Sequence, residues 1–199
     1  MTTIDYYFAP NSPWTYLGHK RFAQMAHAAN ASVRVLPMDL GKIFPLSGGL
    51  PLGKRAPQRQ AYRLLELARF SKHLQLPMNI QPKFFPVSSD DAARLIIAVD
   101  LKAGAAAAMQ IAGAVQVAVW EQERNIGDAA VLAALLAEQG LSADLLEYAH
   151  SQAVQERYDA NTEAATALGV FGAPSYVLEG ELFWGQDRLD FLQRKLQGA

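Results

Sequence analysis

The hydrophobic and polar positions at the start of the chain follow two successive periods. Alternation over Thr3–Phe8 predicts a strand. Ser12 and Pro13 are typical of a helix start, and apolar residues at helical spacing continue to about Asn30. A second strand is predicted over residues 33–38. The head of the chain is therefore predicted to be a β-α-β unit.

The middle of the chain changes to helical periodicity. Residues 39–57 are rich in Gly, Pro and Lys, have no clear period, and predict a long loop. Beyond this loop, Ser88 with Asp91 is typical of a capping box before an apolar helix. Gly140 and Gly169 favour helix ends at their positions. The predicted helices cover about residues 61–76, 92–101, 105–123, 128–139 and 142–168.

The last part of the chain returns to short strands. Ser175–Leu178 and Glu181–Trp184 flank a Glu-Gly pair that favours a hairpin, and spaced leucines over 189–196 predict a final helix. Neither end of the chain has enough strands for its own sheet. Joined, the two ends predict an α/β fold with a four-stranded sheet, in which residues 1–45 and 165–199 form one domain. Residues 46–164 then form an all-helical insertion.

Composition and charge narrow the function. The 199 residues carry a formal net charge of -1 without a Lys/Arg-rich run, which disfavours a nucleic-acid or anionic-membrane partner. The sequence has no cysteine, so disulfides, Cys-ligated zinc and thiol chemistry by the protein itself are excluded. No signal peptide or membrane span is predicted, and together these features predict a cytoplasmic protein.

Ser12 is the first candidate for chemistry, because it follows a strand and opens a helix. A helix N-terminus presents free N–H groups and positive potential, which lower the pKa of a thiol docked there. The Ser12 hydroxyl can add one hydrogen bond to such a sulfur. Without a cysteine, the chain would need an external thiol as nucleophile. The alternative, which this motif alone favours, is that Ser12 is only a helix cap.

A serine hydrolase would compete for the same serine. No G-x-S-x-G motif surrounds Ser12. The four histidines lie in predicted helices, without the spacing of metal ligands or of a His-Glu pair, so no metal site is predicted. These histidines are His19, His27, His73 and His150.

Two motifs near the end of the chain offer polar backbone or side chains to a ligand. A cis bond before Pro174 would leave the backbone of Ala173 open to pair with a peptide, although only about 5–6% of X-Pro bonds are cis. Further on, the Gln186 N–H and the Asp187 carboxylate could bind the carboxylate and the ammonium of an amino-acid group. The alternative for Asp187 is a helix cap that interacts with the dipole.

Together these residues resemble the 2-hydroxychromene-2-carboxylate isomerase family, which is related to kappa-class glutathione transferases and to thioredoxin-fold disulfide oxidoreductases. The matching text covers nearly the whole chain: IDYYFAPNSPWTYLG, AYRLLELARFSKHLQLP, PKFFPVSSDDAARL, ERYDANTEAA and FGAPSYVLEGELFWGQDRL. The resemblance implies that the four-stranded sheet is thioredoxin-like and is interrupted by the helical insertion. It also implies a homodimer.

The resemblance implies glutathione as the cofactor. Its sulfur would lie near Ser12, and its cysteinyl backbone would pair with Ala173 before a cis Pro174. Its γ-glutamyl group would meet Gln186 and Asp187. The implied reaction interconverts 2-hydroxychromene-2-carboxylate and trans-o-hydroxybenzylidenepyruvate in bacterial breakdown of naphthalene and similar aromatics. The thiolate adds to a conjugated carbon, a bond rotates, and the thiolate leaves.

The substrate would lie over the helix start, between the loop that contains Gly49 and the aromatic side chains of Trp14 and Phe84. Lys54 or Arg55 could meet its carboxylate, an assignment that rests on charge alone. The chain departs from its relatives here, since Gly-Gly-Leu-Pro-Leu stands where kappa-type relatives carry Gly-Asn-Lys-Pro-Pro. The exact substrate stays open for that reason. The alternatives are a kappa-like transferase that conjugates electrophiles and a non-enzymatic binding protein.

Overall fold

The computed structural model describes residues 2–198, and in this range both ends of the chain contribute strands to one sheet. The order across the sheet is second, first, third, fourth. The first two strands are parallel, and the other two pairings are antiparallel. The joining of the two ends, predicted from the sequence, is confirmed. The strands are β1 (Thr3–Phe8), β2 (Ser32–Pro37), β3 (Ser175–Leu178) and β4 (Glu181–Trp184).

Helices cover both faces of this sheet. The α/β class, with helices that interrupt a four-stranded sheet, is confirmed. Between β2 and β3 the described chain has one short helix, Leu40–Ser47, followed by six further α-helices. None of the helices within residues 2–198 combines the length and apolar character needed to cross a membrane. The helices are α1 (Pro13–Ala28), α2 (Leu40–Ser47), α3 (Pro57–Leu74), α4 (Asp90–Ala103), α5 (Ala105–Trp120), α6 (Ala129–Glu138), α7 (Asp144–Tyr148), α8 (Gln152–Ala167) and α9 (Leu189–Leu196).

Residues 39–57 are not the structureless loop that the sequence predicts. Helix α2 begins directly after Asp39, whose carboxylate accepts a hydrogen bond from the Gly41 N–H at 2.7 Å. Ile43 fixes this helix to the protein, because its side chain is buried against the sheet. Pro45 lies inside α2 and, with Gly41, hides the helical pattern from sequence analysis.

The single helix predicted over 142–168 is wrong. The structure has two helices, α7 and α8, separated by a turn over residues 149–151. His150 therefore lies in a turn and not in a helix. Both helices insert an apolar side chain into the core, Leu145 from α7 and Val154 from α8. The turn changes the direction of the chain between these two anchors.

The predicted capping box before α4 is also wrong. Ser88 lies one position too early, and its Oγ accepts from the N–H of Asp90 at 3.4 Å. Ser89 occupies the cap position without a side-chain bond. Asp91 pairs instead with Arg94, one helical turn later, at 2.7 Å.

Alternate residues of β1 enter hydrophobic clusters on opposite faces of the sheet. Tyr6 and its even-numbered neighbours join a cluster that includes residues of α1, α4 and α5. Tyr7 joins the other cluster, with Ile43 of α2 and Ala165 of α8. The inserted helices therefore share the core of the sheet, while the boundaries at 45/46 and 164/165 stay a prediction.

His19 joins α1 to the sheet and to α5 from a buried position. Its Nε2 donates to the Met109 carbonyl at 3.0 Å, and its Nδ1 accepts from the Tyr6 hydroxyl at 3.1 Å. This assignment follows because a carbonyl only accepts, so Nε2 carries the hydrogen. Gly113 leaves room for the ring, since a Cβ there would lie 3.2 Å from it. Burial lowers the pKa of His19 from 6.5 to about 4.

The neutral state of His19 makes stability depend on pH. Above pH 6.5 its contribution is fully present, and it is lost as the pH falls to about 4, because only the unfolded chain takes up the proton in this window. We expect a loss of up to about 3 kcal/mol in the free energy of unfolding. Urea unfolding of the wild type and His19→Gln at pH 7 and pH 4.5 measures it. A variant with the same pH dependence as the wild type would contradict the assignment.

Candidate functional site

A cleft of about 1210 Å³ opens at the N-terminal end of α1. One wall consists of α2 and α3 as far as Phe70, and the opposite wall consists of residues 171–173 and 184–188. Residues 85–90 line the remaining side. Its volume slightly exceeds the range of about 300–1,000 Å³ that is usual for small-molecule sites. The cleft therefore has room for a peptide-sized ligand beside a smaller molecule.

Ser12 lies at the floor of this cleft as the N-cap of α1, and it is 7% exposed. Its Oγ accepts from the Thr15 N–H at 3.3 Å, while its own N–H donates to Ala9 O at 3.0 Å. The Oγ hydrogen is left for a second partner. The first turn of α1 has no acidic residue, so the positive potential of the helix N-terminus is not neutralised locally.

The histidines do not support a hydrolase at Ser12. His19 is held by Tyr6 and by Met109, and His27, His73 and His150 are exposed. The partner of Ser12 Oγ is a backbone N–H and not an imidazole. Within residues 2–198, no group of three acidic or imidazole side chains is placed to hold a metal ion.

The wall opposite α2 is built around Pro174. The Ala173–Pro174 peptide bond is cis, as the resemblance implies, and Ala173 lines the cleft. Pro174 itself lies behind the lining and accepts from the Gly185 N–H at 2.9 Å. Gly172 is required next to it, because a Cβ would lie 2.4 Å from the Trp184 indole nitrogen. The residues around Pro174 and Gly185 therefore form one surface.

Gln186 and Asp187 continue that surface in different environments. Gln186 is 2% exposed, and Arg21 of α1 donates both to its Oε1 and to its backbone oxygen. The Nε2 of Gln186 is buried and has no hydrogen-bond partner among residues 2–198. Asp187 is exposed at the rim, where its carboxylate pairs with Arg188 at 2.6 Å. The structure thus brings Ser12 into one cleft with both residues.

The structure brings only some of the predicted substrate residues to the cleft. Trp14, Gly49 and Arg55 line it. Gly49 packs against the Phe44 ring of α2, since a Cβ at position 49 would lie 2.5 Å from a carbon of that ring. Lys54 and Phe84 do not belong to the lining.

Sequence analysis predicted Trp14 beside the substrate, but it missed the other members of an aromatic wall and a buried cation. The aromatic wall consists of Trp14, Tyr62, Phe70 and Phe85, of which Trp14 and Phe70 meet edge to face at 6.0 Å. Arg63 of α3 also lines the cleft. The spacing of Arg55, Arg59 and Arg63 by four residues, one face of a helix, is the signal that could have found this cation.

A second cis peptide bond, Phe85–Pro86, also borders the cleft, and sequence analysis did not predict it. Asn11 connects this segment to the start of α1, because its amide donates to Val87 O at 2.8 Å. The loop that leads to Ser12 is thus held against the segment that contains Pro86.

Residues 3–197 match the family model of the DSBA-like thioredoxin domain. The chain belongs to the DsbA-like thioredoxin family. Relatives in this family extend over almost the same length. The 2-hydroxychromene-2-carboxylate isomerase of Pseudomonas putida is 30% identical over 96% of this chain and 92% of its own. Human glutathione S-transferase kappa 1 is 26% identical over 98% of this chain and 90% of its own.

Solved structures agree with this membership in the DsbA-like family. The structure of a 2-hydroxychromene-2-carboxylate isomerase has a TM-score of 0.83 and 26% identity, and covers 98% of this chain and 95% of that one. Cytosolic disulfide reductase DsbM from Pseudomonas aeruginosa with GSH has a TM-score of 0.66 and 21% identity over 98% and 99%. The thioredoxin-like fold and the family resemblance are confirmed, and the relatives class the chain as an isomerase enzyme.

Gly18 allows α1 to approach the segment that carries Gln186. A Cβ at Gly18 would lie 2.9 Å from both Gln186 Cβ and Tyr176 Oη. We expect Gly18→Ala to lower the free energy of unfolding by about 1–3 kcal/mol through overpacking, although alanine favours helices.

Gly53→Ala is the matched control, because no atom lies within 4 Å of a Cβ at that position. Its stability should stay equal or rise slightly. Urea denaturation of both variants measures the difference, and equal stabilities would show that α1 and the Gln186 segment do not pack as described.

Proposed function

We propose that this chain is a glutathione-dependent isomerase that interconverts 2-hydroxychromene-2-carboxylate and trans-o-hydroxybenzylidenepyruvate, or a close aromatic analogue. The observation that carries the proposal is one cleft in which Ser12 caps α1 while Ala173 and Gln186 line the facing wall. The absence of cysteine supports it, because a thiol for this cleft must come from a bound molecule.

The residues of the cleft fit glutathione. Ala173 would pair with its cysteinyl backbone, and Gln186 with Asp187 would hold its γ-glutamyl group. The buried Nε2 of Gln186, which lacks a partner in the protein, supports a ligand that accepts a hydrogen bond there. The names of the kappa-class relative and of the DsbM structure with GSH support the same cofactor.

Ser12 would act on the thiol through two local effects. Its hydroxyl would donate to the sulfur, and the positive potential at the N-terminus of α1 would favour the ionised form. When bound, glutathione supplies a thiolate that adds reversibly to a conjugated carbon, so that the adjacent bond can rotate. A thiol pKa brought near the ambient pH keeps such an addition reversible.

The aromatic wall would hold the ring of the substrate. Trp14 lies two residues after Ser12 in the first turn of α1, and Gly49 with Arg55 lines the wall from α2 to the start of α3. Lys54 and Phe84 lie outside the lining and are not part of the proposal. The proposal includes a homodimer in the cytoplasm, and the absence of cysteine is consistent with that reducing compartment.

Loss of the Ser12 hydroxyl should raise the pKa of the bound thiol. We expect Ser12→Ala to lower turnover by about 10- to 100-fold, the equivalent of one hydrogen bond to a charged group. A pH titration of thiolate absorbance with bound glutathione measures the pKa, and steady-state rates measure turnover.

Ser12→Gly is the control for helix capping, because glycine preserves most of the cap stability while it lacks the hydroxyl. It should lose turnover as Ser12→Ala does, with a smaller loss of thermal stability. Identical thiolate midpoints in the wild type and both variants would contradict the role of Ser12.

Isomerisation and conjugation differ in the fate of glutathione. With a chloronitrobenzene and glutathione, we expect no enzyme-dependent accumulation of conjugate, and with the chromene substrate the glutathione concentration should stay constant. Mass spectrometry follows both. A stable conjugate that forms in proportion to enzyme concentration would favour a kappa-like transferase.

A further inference from the structure

Arg63 is a buried cation on the α3 wall of the cleft. The residue is 8% exposed, and its Nη2 is buried without a hydrogen-bond partner in the described part of the chain, residues 2–198. Within residues 2–198, it forms no ion pair. Its guanidinium carbon lies 5.2 Å from the centre of the Phe85 ring and 6.0 Å from that of the Trp120 ring. An uncompensated buried charge is costly, and such groups concentrate at functional sites.

The electrostatic environment of Arg63 favours the binding of an anion. Burial, followed by the charge of Arg55, lowers its pKa to about 10, so the side chain stays a cation at neutral pH. Among residues 2–198, no carboxylate offsets these two effects. A bound anion would do so, and the planar guanidinium favours a carboxylate that accepts two parallel hydrogen bonds.

Other cations of the cleft are less available for this role. Arg55 donates to Leu50 O at 2.8 Å, and Arg188 pairs with Asp187. Arg59 is exposed, so water already solvates its charge. Arg63 combines burial, a missing partner and a place on the cleft lining.

The surroundings of Arg63 indicate what kind of carboxylate it would take. Phe85 of the aromatic wall lies directly over the guanidinium, so an anion beside Arg63 is joined to an aromatic surface. Ala173 and Gln186, which would hold glutathione, line the opposite wall. We propose that Arg63 binds the carboxylate of an aromatic acid substrate whose ring lies on the aromatic wall. This inference rests on the proposed function and adds the residue that recognises the substrate anion.

A pair of ligands that differ only in charge tests the proposal. Calorimetry with trans-cinnamate and with cinnamamide should give about 10- to 100-fold tighter binding of the acid to the wild type. Arg63→Met should abolish this preference, and Arg63→Lys should retain part of it. Glutathione should bind Arg63→Met as it binds the wild type.

Arg69→Met is the matched control. Arg69 lies on the same helix, is exposed, and faces the Tyr62 ring at 5.8 Å, but it does not line the cleft. It should keep the wild-type preference for the acid. Arg63→Met should also melt no lower than the wild type, because it removes an uncompensated charge from the interior.

Four results would overturn the inference. In the wild type, these are equal binding of the acid and the amide, or no binding of the acid. In Arg63→Met, they are an unchanged preference for the acid, or a loss of glutathione binding without a loss of acid binding, which would assign the anion to the tripeptide. The proposed function fails separately. If the wild type binds no glutathione but still prefers cinnamate through Arg63, the carboxylate site stands and the cofactor does not.

Discussion

Residues 4–7 of β1 pair antiparallel with residues 175–178 of β3, and this pairing joins two parts of the chain that more than half its length separates. Ser12 follows the C-terminal end of β1, and Ala173 precedes the N-terminal end of β3. Because the strands are antiparallel, these two ends meet at the same edge. The cleft exists at this edge, and without the pairing its floor and one wall would have no fixed relation.

Helix α1 converts that topology into a fixed site. Its first residue is preceded by the Ser12 cap, Gly18 allows close approach to Gln186, and Arg21 holds Gln186 by two hydrogen bonds. His19 anchors the same helix to Tyr6 and to α5. One helix therefore positions both the proposed sulfur site and the proposed γ-glutamyl site. The distance between the two sites is better defined on one helix than it would be on two separate loops.

Sequence analysis predicted what depends on neighbours along the chain. The alternation of β1, the Ser12 cap and the Glu-Gly hairpin between β3 and β4 are local signals, and the structure has all three. Helix α2 was missed because Pro45 and Gly41 oppose the helical pattern, while the burial of Ile43 stabilises the helix from outside. The spacing of Arg55, Arg59 and Arg63 could have indicated a cationic helix face, but it does not show which arginine is buried, because the burial of Arg63 depends on rings distant in sequence, such as Trp120.

Two of the unpaired polar groups of the interior belong to residues of the cleft. Within residues 2–198, Gln186 Nε2 and Arg63 Nη2 are both buried without a partner, and both residues line the cleft. A protein selected for stability alone would pair or remove such groups, because an unpaired buried polar or charged group costs free energy. Their presence on facing walls is understandable if two ligands complete them, one that accepts a hydrogen bond from Gln186 and one that brings a negative charge to Arg63. Binding of these two ligands would then complete the hydrogen bonding of Gln186 and the charge pairing of Arg63.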